Sequence, residues 1–164
     1  MKTSQRGINL IKEFESLHDG DLKQAGLQPK MDPIGIWTEG YGRAMRDDKG
    51  NFIRGAANKG LAIKRASVYT EKDAENALRQ DLEVYEKIVA QKVKIPLTQN
   101  QFDALVSYTY NTGGSDTLWN LINRRADPAK IKNWFLTKYI TAGGVKLKGL
   151  IRRRKAEADL YFEN

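Results

Sequence analysis

Between Asp32 and Arg43 the chain reads Asp-Pro-Ile-Gly-Ile-Trp-Thr-Glu-Gly-Tyr-Gly-Arg, and this stretch constrains the fold more than any other. Gly35, Gly40 and Gly42, with Pro33 ahead of them, deny it a helix, while Ile, Trp, Thr and Tyr favour extended, half-buried backbone. The pattern runs on to Met45. After the turn residues Asp47-Asp48-Lys49-Gly50 comes Asn51-Phe52-Ile53-Arg54, so residues 34–54 read as a small β-hairpin or a three-stranded sheet. Elsewhere apolar residues recur at helical spacing. The expected class is therefore α+β, with a small N-terminal sheet and a larger helical remainder. Gly40-Tyr41-Gly42 resembles a piece of a phosphate-binding loop, but no third glycine opens a helix behind it, so no nucleotide site is expected.

The helices are marked by their ends. Ser4 is a candidate N-cap for a first helix running to about Leu17. His18 to Met31, with Asp19-Gly20-Asp21, Gly26 and Pro29, reads as loop. Asp19 and Asp21 do not continue into the ligand spacing of a calcium loop. A short helix is expected near residues 62–68. Thr70-Glu71-Lys72-Asp73 then opens the longest one, in which Ala74, Ala77, Leu78, Leu82, Tyr85, Ile88 and Val89 keep one face. Thr98-Gln99-Asn100-Gln101 is a capping box for a helix that stops at Asn111-Thr112-Gly113-Gly114. Further helices are expected from Ser115 or Asp116 to about Arg124, from Asp127-Pro128 to about Ile140, and from about Leu150 to Phe162. The predicted domain is single, 1–164, with two lobes of about 1–69 and 90–164 joined by helix 70–90.

Composition narrows the function classes. A chain of 164 residues is long enough for one sizeable core, and it has no cysteine, hence no disulfide, no thiol nucleophile and no Cys-ligated metal. One histidine, His18, offers too few ligands for a metal site. No metal or other cofactor is expected. No apolar run approaches the length that spans a bilayer, and Met1 to Arg6 lead into no signal-peptide core, so cytoplasmic accumulation is expected. The formal net charge of +8 calls for an anionic partner, either nucleic acid or the polyanionic envelope of a bacterium.

Two carboxylates and a hydroxyl stand out. Advancing about 100° per residue from Ile8 places Ile8, Leu10, Ile11, Phe14 and Leu17 in one arc, with Glu15 between Ile8 and Ile11 and Glu13 on the opposite, solvated side. A carboxylate on the apolar side of a helix is partly desolvated, which favours its protonated form. Glu15 thus has the placement of a general acid, or of an ion-paired residue at a core edge. Asp32 and Thr38 flank the turn of the glycine-rich stretch. A pair of carboxylates with a hydroxyl suits acid/base hydrolysis of a sugar polymer.

At this point the residues match a known family. Phe14-Glu15-Ser16 followed by Asp32-Pro33-Ile34-Gly35-Ile36-Trp37-Thr38-Glu39-Gly40-Tyr41-Gly42 resembles the signature of phage-type lysozymes, the endolysins related to T-even phage lysozyme. Ala104-Leu105-Val106-Ser107-Tyr108, Asn111, Gly113 and Ser115-x-Thr117-Leu118 resemble a second family segment. Gly149-Leu150, Arg153-Arg154 and Glu157 resemble a third. The resemblance implies a lysozyme-like fold, with a small N-terminal sheet lobe and a larger helical C-terminal lobe. It also implies hydrolysis, with inversion, of the β-1,4 bond between N-acetylmuramic acid and N-acetylglucosamine. By motif position Glu15 is the general acid, Asp32 the carboxylate that activates or holds water, and Thr38 its hydroxyl partner. Tyr110, Asn111, Arg43 and Thr117 fall at expected substrate-binding positions.

Three departures accompany the match: the segment between Glu15 and Asp32 is longer than the family norm, Glu39 replaces the usual Ile, and Arg43 replaces the usual His. In a strand Glu39 should point to the face opposite Thr38. The expected partner is the peptidoglycan glycan strand, with no nucleic acid and a monomeric state; the basic C-terminal helices read either as core helices with solvated basic faces or as a surface that binds the anionic envelope. Release to the wall is expected to need a separate membrane-permeabilising partner. The competing readings are a basic nucleic-acid-binding module, a lysozyme-like lytic transglycosylase and a non-catalytic wall-binding protein. In the final helix Leu147, Leu150, Ile151, Ala158, Tyr161 and Phe162 form an expected apolar stripe that includes Arg154. A cation there must be paired, with Glu15 as one possible partner.

Overall fold

A computed structural model describes all residues, 1–164. In chain order the elements are α1 (Gln5–Glu15), β1 (Lys30–Met31), β2 (Trp37–Glu39), β3 (Arg43–Ala44), a 3-10 turn (Ala56–Asn58), α2 (Lys59–Arg65), α3 (Glu71–Lys92), α4 (Gln99–Thr112), α5 (Asp116–Asn123), α6 (Pro128–Thr137), β4 (Thr141–Ala142), β5 (Val145–Lys146) and α7 (Lys148–Phe162). This is the α+β class expected from the sequence. The chain divides into two compact units, Glu15–Asp81 and Met1–Phe14 with Leu82–Asn164, the boundary falling inside α3. No helix is long and apolar enough to cross a membrane.

The sheet unit, Glu15–Asp81, is built on the antiparallel order β1-β2-β3, with Lys30 opposite Thr38 and Thr38 opposite Ala44. Its core is Trp37, Met45, Ile53 and Ala62, with Ala66 packed against them. The Trp37 indole donates to the Gly55 carbonyl at 2.9 Å, which satisfies the polar edge of an otherwise buried ring. Lys30–Met31, expected as loop, is a strand because Thr38 and Trp37 offer it a partner across the Asp32 turn. Phe52-Ile53-Arg54 contributes isolated bridges to Arg46 and Ile36 rather than a full strand. The short helix lies earlier than expected and ends at Arg65. The Ser67 and Val68 amides, which a longer helix would use, are taken by the Glu39 carboxylate.

The helical unit is centred on α4, in which Phe102 through Thr109 are all buried. A helix buried on every side is the core of its unit rather than a cover for it. Its capping box is formed as the sequence implies, Gln101 N to Thr98 Oγ1 at 3.2 Å and Thr98 N to Gln101 Oε1 at 2.9 Å, worth about 1 kcal/mol. α7 packs along α4 and also on α6, where Phe135, fully buried, stacks edge-on against Tyr108 at 5.6 Å. The first helix, placed in the sheet lobe by the sequence reading, belongs to this unit up to Phe14. Thr3 N and Oγ1 donate to Glu86 at 2.8 Å each, Ser4 N donates to Asp103 at 3.0 Å, and Ile8 and Ile11 are fully buried. Burial raises the Glu86 carboxyl, but the Thr3 amide, the Thr3 hydroxyl and Lys2 together outweigh it and hold Glu86 below its ordinary value.

Two ends differ from expectation for local reasons. α6 stops at Thr137, not Ile140, because Lys138 is extended and Tyr139 takes φ 56, after which residues 141–146 form the hairpin β4–β5. In α7 the buried side meets the expected stripe only in part. Arg154, Ala158 and Tyr161 are buried and Leu150 and Phe162 half-buried, but Leu147 and Ile151 are 42% and 40% exposed, and Arg153, Glu157 and Leu160 are buried instead.

Candidate active site

Glu15 is the last residue of α1, and Ser16, at φ 59, closes the helix there rather than at Leu17. The Glu15 side chain is half-buried, while Glu13 is exposed and 3.7 Å from Arg152. One carboxylate oxygen of Glu15 lies over Gly42, where an added Cβ would sit 3.7 Å from it; Gly42 also has φ 95, so the turn after β2 needs glycine on conformational grounds. The chain leaving Glu15 is held to the same turn. His18 N donates to the Gly40 carbonyl at 2.8 Å and His18 Nδ1 lies 3.1 Å from that oxygen. A carbonyl only accepts, so Nδ1 carries the proton and His18 is spent on positioning.

Asp32 occupies the tight connection between β1 and β2. Its Oδ1 accepts from Ile34 N at 3.0 Å and Ile36 N at 2.8 Å, while its own backbone bonds Ile36 O and Gly35 N. This is why Asp, Pro and Gly occur together here: the carboxylate organises the turn, Pro33 pre-sets φ, and Gly35 takes φ 87. Oδ2 is left outside those bonds. Thr38 is buried in β2, opposite Lys30, and its hydroxyl donates to the Lys30 carbonyl at 2.8 Å. With its single proton committed, the Thr38 oxygen is available only as an acceptor. The β1–β2 pairing sets Asp32 at the turn and Thr38 on the strand that leaves it, and Glu15 lies beside the turn that follows β2.

Two of the three sequence departures, Glu39 and Arg43, have partners within the sheet unit. Glu39 points away from Thr38, as alternation requires, and is buried. It accepts from Ser67 N at 2.9 Å, Ser67 Oγ at 2.8 Å and Val68 N at 3.2 Å. Arg43, expected to contact substrate, is committed to α3: Nε reaches the Asp81 carboxylate at 3.0 and 3.1 Å, and Nη2 donates to Ala77 O at 2.8 Å and to Gln80 Oε1 at 3.2 Å. A guanidinium so engaged pins β3 to the helix.

The remaining predicted residues lie in the helical unit. Tyr110 is half-buried, edge-on to Tyr85 at 5.1 Å. Asn111 is exposed near the end of α4, and Thr117 is exposed in the first turn of α5, whose N-cap is Ser115. Arg154 Nη2 donates to Asn111 Oδ1 at 2.8 Å, which fixes the amide so that Nδ2 is the group left to bind elsewhere. Arg154 is fully buried and paired, as its place in the sequence required, and the carboxylate beside it is Glu157. Nε lies 2.8 Å from Oε2 and Nη2 3.0 Å from Oε1. Glu157 Oε1 also receives Ser107 Oγ at 2.7 Å and Arg153 Nε at 3.2 Å. Burial pushes the Arg154 guanidinium down and the Glu157 carboxyl up, and their close attraction opposes both shifts. The sequence reading missed this cluster as the support of Asn111. Its signal was available as Ser107 on the all-buried α4, together with Arg153, Arg154 and Glu157 at helical i, i+3 and i+4 spacing.

The phage lysozyme family matches residues 22–157. The endolysin of Bacillus phage B103 is 34% identical over 99% of this chain, which spans only 54% of that protein, so the chain covers about half of such relatives. The endolysin of Acyrthosiphon pisum secondary endosymbiont phage 1 is 30% identical with 98% of both chains covered. Among solved structures, the muramidase domain of SpmX from Asticaccaulis excentricus superposes with a TM-score of 0.73 at 30% identity, over 99% of each chain. From the Asp32 turn through the Arg154–Glu157 pair, the chain belongs to the phage lysozyme family.

Proposed function

We propose that the chain is an endolysin-type muramidase, hydrolysing the β-1,4 bond between N-acetylmuramic acid and N-acetylglucosamine of peptidoglycan with inversion at the anomeric carbon. Family membership and the muramidase and endolysin relatives support the reaction class. The observation that carries the residue roles is the division of hydrogen bonds at the β1–β2 turn. Asp32 spends Oδ1 on two backbone amides and Thr38 spends its proton on Lys30 O. A water bridging Asp32 Oδ2 and Thr38 Oγ1 therefore meets two acceptors, which take both of its hydrogens and turn an oxygen lone pair outward for attack. Asp32 takes the proton as the new C–O bond forms, and Glu15 gives its proton to the leaving glycosidic oxygen. On the helical unit, Asn111 offers an oriented amide N–H to a sugar or peptide carbonyl, and Tyr110 and Thr117 supply further glycan contacts. Arg43 acts through the stiffness it gives β3.

The test is the Glu15→Gln variant on isolated peptidoglycan, with product ends analysed. We expect loss of about 10²–10⁴-fold in rate with folding intact, since the amide donates no acidic proton. Reducing rather than anhydro ends are expected from the unaltered protein. A Gln variant within a factor of ten of the parent would overturn the acid assignment, and anhydro ends would replace hydrolysis by transglycosylation. The protein acts as a monomer. Its exposed C-terminal cations hold it against the phosphate-bearing anionic envelope, and nucleic acid is not its target. The chain stays in the host cytoplasm until a separate permeabilising partner opens the route. Lysis that follows expression only after a permeabiliser is added supports that placement, and lysis without one refutes it.

A further inference from the structure

The whole excess of positive charge lies in one segment. From Pro128 to Ala156 there are nine Lys and Arg and no Asp or Glu, leaving 19 of the 28 cations against all 20 acids elsewhere. Arg153 and Arg154 are buried, Arg152 lies 3.7 Å from Glu13, and Lys155 pairs with Asp159 at 2.7 Å. Lys130, Lys132, Lys138, Lys146 and Lys148 are exposed and have no carboxylate partner. Among them the fold exposes large apolar side chains: Leu136 is 38% exposed, Tyr139 45%, Val145 62%, Leu147 42% and Ile151 40%. A merely solvated basic face has no reason to hold these out of the core. Between them stands the hairpin β4–β5, whose tip Ala142-Gly143-Gly144-Val145 is uncharged and exposed. Gly143 and Gly144 have φ 58 and 79, the paired left-handed values of a tight two-residue hairpin turn, and the hairpin is lengthened by Leu147 N to Ile140 O at 2.9 Å.

We propose that this hairpin is a membrane-insertion element: its tip enters the headgroup and upper acyl region of an anionic phospholipid bilayer while the surrounding lysines bind lipid phosphates. The proposal rests on the envelope-binding reading above and names the bilayer as the partner. A lipid surface suits the patch because it joins the two chemistries found together, anionic groups outside and hydrocarbon beneath, whereas a soluble polyanion leaves Val145, Leu147 and Tyr139 without a partner. Insertion is shallow for a physical reason: the outward backbone groups of a two-stranded hairpin have no partner strand and must stay hydrated at headgroup depth. Lys138, Lys146 and Lys148 flank it closely in sequence, and long stems let their ammonium groups reach the phosphates as the apolar residues descend. Tyr139 at the hairpin base, 45% exposed, and Trp134, with Lys138 5.7 Å over its ring, match the aromatic preference for the interface.

The absence of native cysteine makes a direct test possible. The full chain carrying Val145→Cys is labelled with an environment-sensitive nitrobenzoxadiazole dye and mixed with phosphatidylcholine vesicles, with or without phosphatidylglycerol, and with soluble polyphosphate. We expect binding to the phosphatidylglycerol vesicles that weakens with salt, and a blue-shifted, brighter emission there. Polyphosphate and a label at Lys49→Cys on the sheet unit should give no such shift. Each lysine at an anionic surface is worth roughly a factor of five, so replacing Lys138, Lys146 and Lys148 by Gln should weaken vesicle binding by about 100-fold. Val145→Asp should abolish the insertion of a tip label moved to Ala142→Cys while leaving hydrolysis of isolated peptidoglycan unchanged. Vesicle binding without the emission shift overturns insertion and keeps the electrostatic envelope reading. No binding to vesicles or polyphosphate overturns both, and neither outcome bears on the muramidase assay.

Discussion

Replacing Glu157 by Gln tests how much of the helical unit depends on one buried carboxylate. Glu157 and Arg154 are fully buried and Arg153 is 3% exposed. The substitution keeps the volume but removes the charge that two guanidinium groups face at 2.8–3.2 Å, and it turns part of an acceptor into a donor pointed at donors. Breaking a buried pair by removing one partner costs about 3–5 kcal/mol, a large part of the roughly 5–15 kcal/mol that holds a domain folded. For a chain of this length that corresponds to a fall in Tm of about 6–20 °C. Thermal and urea unfolding followed by far-UV circular dichroism measure it, with Glu163→Gln as the control. Glu163 pairs with Arg6 where both side chains are about half exposed, so its loss should cost less than about 1 kcal/mol. If Glu157→Gln costs no more than that control, the cluster is not the internal brace described here, and the orientation of Asn111 through Arg154 loses its basis.

Asp32→Asn should leave Tm unchanged, because Oδ1 remains to accept from Ile34 and Ile36, yet lower the rate on peptidoglycan by about 10²-fold or more; Asp32→Ala should add a stability loss of about 1 kcal/mol by freeing the turn amides. A fully active Asn variant would remove Asp32 from the chemistry. Arg43→Gln should cost about 1 kcal/mol, discounted because the Arg43 and Asp81 side chains are 27% and 32% exposed, with KM unchanged; a raised KM at unchanged stability would return Arg43 to the substrate. Burial pushes the Tyr161 hydroxyl from 10.0 up to about 12. The folded pKa lies above the unfolded one, so this stability is whole below pH 10 and is lost as pH rises toward 12. Urea unfolding at stepped alkaline pH, compared with Tyr161→Phe, reads it, and a parallel decline in the Phe variant would assign the loss to other groups.

What the sequence determined was whatever depends on neighbours within a turn or so of chain. The capping box at Thr98–Gln101, the stop at Gly113, the proline-led start of α6 and the Asp32-Pro33-x-Gly35 turn are all formed, because their hydrogen bonds close over two to four residues. The helical count likewise placed Arg154 among buried residues. Tertiary structure alone decided which distant group each charged side chain serves. Arg43 goes to Asp81, 38 residues away, and Glu39 takes the amides of Ser67 and Val68, ending α2 early. The Lys30–Met31 strand exists only because β2 is there to pair with it. Likewise α7 turns its arginines inward and leaves Leu147 and Ile151 exposed, because Ser107 and Asn111 of α4 supply acceptors and Glu157 the countercharge. Periodicity weighs side chains by hydropathy and cannot see that a charge becomes inexpensive to bury once its partners are in place.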